Sequence, residues 1–283
     1  MNREPPDSKA KAKTQKPSGA RTQKPLQTGT QRGAADPLAL YGIHTVKAAL
    51  ENKARTKTRL LATPNALDRL KPAIPDQPGF NVETVDTAAL QRIVGKEAVH
   101  QGAVLECAPL EPLDASELFQ LVDHTLLLVL DQITDPHNVG AIMRSAVALN
   151  VGTLITTARH AAPETAVLAK SASGAADWLP TMPVRALAKT ISALNEIGFT
   201  TLGLDSDGPA DLVDTLDDIS TPKKRPLKIA LVLGAEGKGL RQQTREACSH
   251  LVRLDMPGPI RSLNVSNAAA LALYLARRAL DQG

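Results

Sequence analysis

The apolar run Leu126-Leu127-Leu128-Val129-Leu130 carries no polar alternate and closes on Asp131. That pattern belongs to a strand covered on both faces, as in a sheet lined by helices on each side. Downstream, strand patterns at 153–157, 179–184, 199–204, 228–233 and 250–254 alternate with helical patterns at 136–150, 163–172, 186–197, 240–247 and 264–280. Strands separated by helices predict a mainly parallel sheet in an α/β fold. Residues 205–220 read as an acidic loop. Upstream, Ile43, Val46, Lys47 and Leu50 share helical spacing, and 59–62, 80–85 and 102–107 read as strands around helices at 65–71 and 87–95. This predicts a small α/β domain over 37–108, a Pro-marked linker over 109–124 and a larger domain over 125–283.

Composition changes the picture in two places. Aromatics are only 2% of the 283 residues, so the core must be Leu, Val, Ile and Ala, and binding through many stacked bases is disfavoured. The net charge of +4 is concentrated at the start. Residues 1–36 hold eight Lys/Arg against three Asp/Glu and are poor in apolar residues, which predicts a disordered basic tail. Such a tail raises affinity for a polyanion such as RNA, or merely keeps the chain soluble. No apolar run reaches the roughly 18 residues of a membrane span, and the N-terminus lacks a secretory h-region. Cys107 and Cys248 give neither metal spacing nor a disulfide framework, which fits two ordinary thiols in the cytoplasm.

Three segments carry candidate chemistry. In Asp135-Pro136-His137-Asn138-Val139-Gly140, Asp135 suits a helix cap and Pro136 the first helical position. Gly140, Arg144 and Ala148 fall four apart on one face, leaving room for another backbone, a subunit or a ligand near Arg144. Its planar fork suits phosphate, although an exposed arginine on an amphipathic helix has the same spacing. The second segment, Gly234-Ala235-Glu236-Gly237-Lys238-Gly239, follows a strand but lacks the Gly-Lys-Ser/Thr ending of a nucleotide loop. It suits either a tight turn that brings backbone close to a ligand or a plain surface turn. The third, Ser262-Leu263-Asn264-Val265-Ser266-Asn267, opens a helix that is apolar almost all round from Ala268 to Ala276 and is expected to be buried. Its Ser/Asn composition suits a helix cap, and a buried helix start also leaves N–H groups for a substrate or cofactor.

Taken in order, these segments resemble the three motifs of the SpoU branch of the SPOUT methyltransferases. Tyr41-Gly42-Ile43-His44 and Ala98-Val99-His100-Gln101-Gly102 resemble the ends of the L30e-like substrate-binding domain in that branch's RlmB-type enzymes. The resemblance implies a C-terminal domain tied in a deep trefoil knot, a homodimer, and S-adenosylmethionine (AdoMet) as methyl donor, with no metal. It implies methylation of a guanosine ribose 2′-hydroxyl in large-subunit (23S) ribosomal RNA. The same chemistry on a transfer RNA, or a non-catalytic RNA-binding assembly factor, are the alternatives. Carried over by motif, Gly234, Leu254, Met256 and Leu263 would contact the cofactor, and Asn138, Arg144, Glu236, Asn264 and Ser266 would form the catalytic polar set. A guanidinium stays protonated in water, so Arg144 is expected to act electrostatically, on a phosphate and a developing alkoxide.

Overall fold

A computed structural model describes residues 1–2, 37–159, 161–220, 226–260 and 262–282. The expectation of a disordered tail over 1–36 falls almost wholly outside the described residues. Residues 35–283 form one compact unit.

The first lobe is built on β1 (Leu38–Tyr41), α1 (Ile43–Glu51), β2 (Lys57–Ala62), α2 (Pro64–Leu70), β3 (Asn81–Thr84), α3 (Thr87–Val94) and β4 (Ala103–Cys107). Its four strands form a mixed sheet in the order β1-β4-β2-β3. Strand β1 had no place in the periodicity reading; four residues are too few to display one. Leu40, Val46, Ala49, Leu60, Leu70 and Leu105 make its core, with Ala169 of the second lobe packed against them. Between the lobes, 3-10 turns over Ala115–Asp123 bury Leu118 and Leu121 against the larger sheet.

The second lobe comprises β5 (Leu126–Asp131), α4 (Pro136–Ala148), β6 (Thr153–Thr157), α5 (Ala166–Ala172), β7 (Thr181–Val184), α6 (Leu187–Glu196), β8 (Thr200–Leu204), β9 (Ala210–Asp211), α7 (Leu212–Ser220), β10 (Ile229–Gly234), α8 (Gln242–Ala247), β11 (His250–Arg253) and α9 (Val265–Gln282). Its seven strands run parallel in the order β7-β6-β5-β10-β8-β11-β9. One face carries the core of α4, α5, α7 and α9, and the other the core of α6 and the 3-10 turns. The uninterrupted apolar run of β5 is thereby explained: all six of its residues are buried, between two helical layers.

Two expectations are corrected. The acidic loop expected over 205–220 contains a helix, α7. Leu212, Leu216 and Ile219 recur at i, i+4 and i+7 and are buried, while the acids between them face outward. Asp211 Oδ1 accepts from the Val213 amide at 2.7 Å and caps the start. Helix α9 is not buried all round. Ala269, Ala272, Leu273 and Ala276 face α4, α7 and β10, whereas Leu271 is 47% and Tyr274 56% exposed. In a single chain nothing among the described residues covers that second face.

Candidate active site

In a parallel sheet every strand delivers its following loop to the same edge, and ligands collect there. Strands β10, β8 and β11 are neighbours, so the loops after Leu204, Gly234 and Arg253 converge. With the start of α9 they enclose a cavity of about 310 Å³. Leu233, Leu254, Met256 and Leu263 line it together with backbone of the glycine loop. All four residues expected at the cofactor, Gly234, Leu254, Met256 and Leu263, therefore fall in one place.

The glycine loop has its shape for a steric reason. The Gly239 amide donates to the Ala235 carbonyl at 2.8 Å, folding the loop onto itself. A Cβ at Gly234 would lie 2.2 Å from the Gly239 carbonyl carbon, so only glycine allows this closure. Gly237 and Gly239 have φ of 75° and 62°, in the left-handed region. The far end is anchored by Asp131, fully buried at the end of β5. It accepts from the Arg241 Nε at 2.7 Å and from the Arg241 amide at 3.2 Å. Asp131 was not singled out from sequence, although an acid closing an otherwise apolar buried strand is a visible signal.

At the cavity's edge the three motif segments join. Glu236 Oε1 accepts from Asn264 Nδ2 at 2.7 Å, from the Val265 amide at 3.1 Å and from Asn138 Nδ2 at 3.3 Å. Asn138 Oδ1 accepts from Asn264 Nδ2 at 3.0 Å. Asn264 Oδ1 in turn accepts from the Ser266 amide at 2.9 Å and the Ser266 hydroxyl at 2.5 Å. The free N–H groups at the start of α9 thus find partners within the chain, Val265 on Glu236 and Ser266 on Asn264. Asn138 is delivered by the start of α4, where Asp135 accepts from the His137 and Asn138 amides as a cap. Asn138, Glu236, Asn264 and Ser266 are therefore one connected set.

Arg144 is apart from that set. It stands six residues beyond Asn138 on α4, about 9 Å along the axis and about two-thirds of a turn round it. Exposed, it lines a separate depression with His44, Lys47, Glu51 and Trp178, which shares no residue with the cavity. Of the uses that spacing left open for the small residue one turn before it, the approach of another backbone is the one found. A Cβ at Gly140 would lie 2.6 Å from the Leu168 carbonyl oxygen, so this glycine lets α5 approach α4. Asp205, read earlier as loop, also lines the cavity; its Oδ2 accepts from Arg245 Nη1, which fixes the loop after β8. No group of three or more His, Cys, Asp or Glu among the described residues could hold a metal, and no described helix is long and apolar enough to cross a membrane.

Similarity to known proteins follows the same division of the chain. The SpoU rRNA Methylase family matches residues 125–274, and the family described as RNA 2′-O ribose methyltransferase substrate binding matches residues 39–113. The 23S rRNA (guanosine-2′-O-)-methyltransferase RlmB of Vibrio cholerae is 35% identical, over 84% of this chain and 96% of its own length. The protein of the same name from Pseudomonas putida is 34% identical, over 84% of this chain and 95% of its own. Among solved structures, the SpoU methyltransferase AviRb from Streptomyces viridochromogenes, in complex with AdoMet, superposes with a TM-score of 0.69 at 24% identity, covering 90% of this chain and 95% of AviRb. That last likeness is one of fold.

Proposed function

The chain belongs to the SpoU rRNA methylase family, and from that premise we propose that it transfers a methyl group from S-adenosylmethionine to a guanosine ribose 2′-hydroxyl of 23S ribosomal RNA. The observation that carries this reading is the meeting of Asn138, Glu236 and Asn264 at the edge of the cavity that Gly234, Leu254, Met256 and Leu263 line. The cavity fits the cofactor chemically. Apolar walls suit an adenine ring, Gly234, Gly237 and Gly239 expose backbone groups for polar contacts, and among the described residues no Lys or Arg lines it to repel a sulfonium. When bound, S-adenosylmethionine supplies an electrophilic methyl and needs no metal.

The chain's own residues must align the 2′-hydroxyl and ease the loss of its proton. Alignment alone contributes up to ~7–11 kcal/mol in ideal geometry. Asn138, Asn264 and Ser266, locked by Glu236, are the groups to orient the ribose. Arg144 binds an RNA phosphate and stabilises the developing alkoxide. Its distance along α4 from Asn138, and the absence of a cation among the described residues of the cavity lining, support a site completed by Arg144 of a second copy. We place the homodimer contact on the uncovered face of α9, where Leu271 and Tyr274 are exposed. The strand order supports a threaded C-terminus: β10 inserts between β5 and β8, β11 inserts between β8 and β9, and α9 then returns to α4. We propose that this path is a trefoil knot, a rare exception to unthreaded connections. The first lobe acts as an L30e-like domain that selects the RNA by shape and unpaired nucleotides, in the cytoplasm where that RNA is.

The test is methylation of isolated 23S fragments beside transfer RNA, with cofactor binding followed by calorimetry. Ribosomal fragments are expected to accept methyl and transfer RNA not. Cofactor binding without methylation of either RNA would favour the assembly-factor alternative.

A further inference from the structure

The two motifs of the first lobe, Tyr41-Gly42-Ile43-His44 and His100-Gln101-Gly102, meet at one corner, and neither lines the cavity. Gln101 has a left-handed backbone, with φ of 54°. Its Oε1 accepts from the Ile43 amide at 3.1 Å and so satisfies a free N–H at the start of α1. The same oxygen accepts from Lys170 Nζ at 3.2 Å. Lys170 belongs to α5 of the second lobe, and its ammonium also lies 5.9 Å from the centre of the Tyr41 ring. Gly42 makes room for it, since a Cβ there would lie 2.4 Å from Lys170 Nζ.

This cation is held by an amide oxygen and a ring face, neither of which cancels its charge. Among the described residues no carboxylate pairs with it. Burial lowers its pKa from the ordinary lysine value, so the position is maintained against a desolvation cost. The next residue, Ser171, lies 3.2 Å through its hydroxyl from His137 Nδ1. His137 immediately precedes Asn138, whose amide reaches Glu236. Close packing of α4 on α5 at Gly140 holds the two together. The ammonium held by Gln101 and Tyr41 therefore sits one residue before the Ser171–His137 contact, and His137 sits one residue before Asn138 of the set formed with Glu236 and Asn264.

We propose that Lys170 binds a backbone phosphate of the RNA beside the ribose presented to Asn138 and Asn264, with Gln101 as the residue that positions the ammonium. The inference rests on RNA being the substrate, as argued above. A lysine–phosphate contact is a point-charge contact that fixes strand register without reading sequence. Here the two lobes build it jointly: the second lobe supplies the cation and the first sets where it points.

The experiment is a salt titration of RNA binding by the full-length protein, comparing wild type with Lys170→Met and Lys170→Arg. Lys170→Met is expected to lower the slope of log affinity against log salt by about 1, and Lys170→Arg to retain it. Melting temperature and S-adenosylmethionine affinity should stay at wild-type values in both. A wild-type slope in a normally melting Lys170→Met protein overturns the proposal. Should Lys170→Met fail to fold, wild-type protein is tested on RNAs carrying one neutral methylphosphonate linkage each. At least one linkage within two nucleotides of the methylated ribose is then expected to weaken binding, and insensitivity at all of them overturns the proposal. Wild-type protein that neither binds nor methylates ribosomal RNA would instead defeat the functional reading beneath it.

Discussion

Asn264 Nδ2 donates to Glu236 Oε1 at 2.7 Å across 28 positions of sequence, fastening the loop after β10 to the start of α9. The same carboxylate oxygen takes the Val265 amide, so Glu236 is at once a helix cap and the hub of the polar set. Glu236→Ala should therefore have two effects. Loss of the cap should cost about 1–2 kcal/mol of stability, seen in denaturant melts, and methylation should fall because Asn138 and Asn264 are released. Full activity with reduced stability would leave Glu236 a cap alone.

Gly234 makes a sterically sharper case. Its hypothetical Cβ lies 2.2 Å from the Gly239 carbonyl carbon, and backbone cannot yield as a side chain tip can. Gly234→Ala should open the loop, cost about 1–3 kcal/mol in strain and abolish cofactor binding in calorimetry. Wild-type cofactor affinity in this variant would mean that the loop does not form the binding wall.

The candidate site was legible in the sequence where local chemistry dictates local shape. Glycines after an apolar strand, and Asn/Ser before an apolar run, mark loops and caps wherever they occur. Which caps meet which loops is a matter of topology: local spacing leaves it open, the family resemblance implies it, and the order β10-β8-β11 brings the loops together. Helix α7 was hidden because the three acids between Leu212 and Ile219, Asp214, Asp217 and Asp218, outweigh its apolar stripe by composition. The exposed face of α9 was hidden for the opposite reason: Leu271 and Tyr274 read as core whether the cover is this chain or another. Arg144 shows a third limit, since spacing puts Gly140 and Arg144 on one face but does not say that α5 fills the space beside the glycine.

A cross-subunit role for Arg144 has a distinctive signature. If the proposed homodimer forms, Arg144→Ala and Asn264→Ala variants should each lose at least a hundredfold in single-turnover rate while retaining cofactor binding. Mixing the two chains should restore up to half the wild-type activity per mixed dimer, because one of its two sites is intact. No recovery on mixing, with mixed dimers verified, would place Arg144 and Asn264 of the same chain in one site.

The lobes are locked by a buried ion cluster. Arg55, with a fully buried side chain, donates from Nε to Asp177 Oδ1 at 2.6 Å and from Nη2 to Glu164 Oε1 at 2.5 Å. Burial alone would lower its pKa, but hydrogen bonds and charges from Asp177 and Glu164 outweigh that and raise it. Arg55→Ala leaves the Asp177 carboxylate buried without its partner, which should cost about 3–5 kcal/mol in a urea melt. A loss under 1 kcal/mol would show that the lobes are held by apolar contact instead.

Burial pushes the Cys107 thiol up to about 11 and the Cys248 thiol up to about 12, the latter helped by the Asp131 charge. A raised thiol pKa means the folded state holds its proton while the unfolded chain gives it up near pH ~8.5. The associated stability is complete below that pH and is lost as pH rises toward the folded values. Urea midpoints should therefore fall between pH 8 and pH 11, and less so in a Cys107→Ala, Cys248→Ala double variant. Equal alkaline slopes in the two proteins would remove the cysteines from the account.

The most direct measurement is transfer of labelled methyl from S-adenosylmethionine to full-length 23S RNA, followed by nucleoside analysis. The account predicts label in 2′-O-methylguanosine with the wild-type chain and none with Gly234→Ala. Label on a base, or none in ribosomal RNA from a wild-type chain that binds the cofactor, would contradict it.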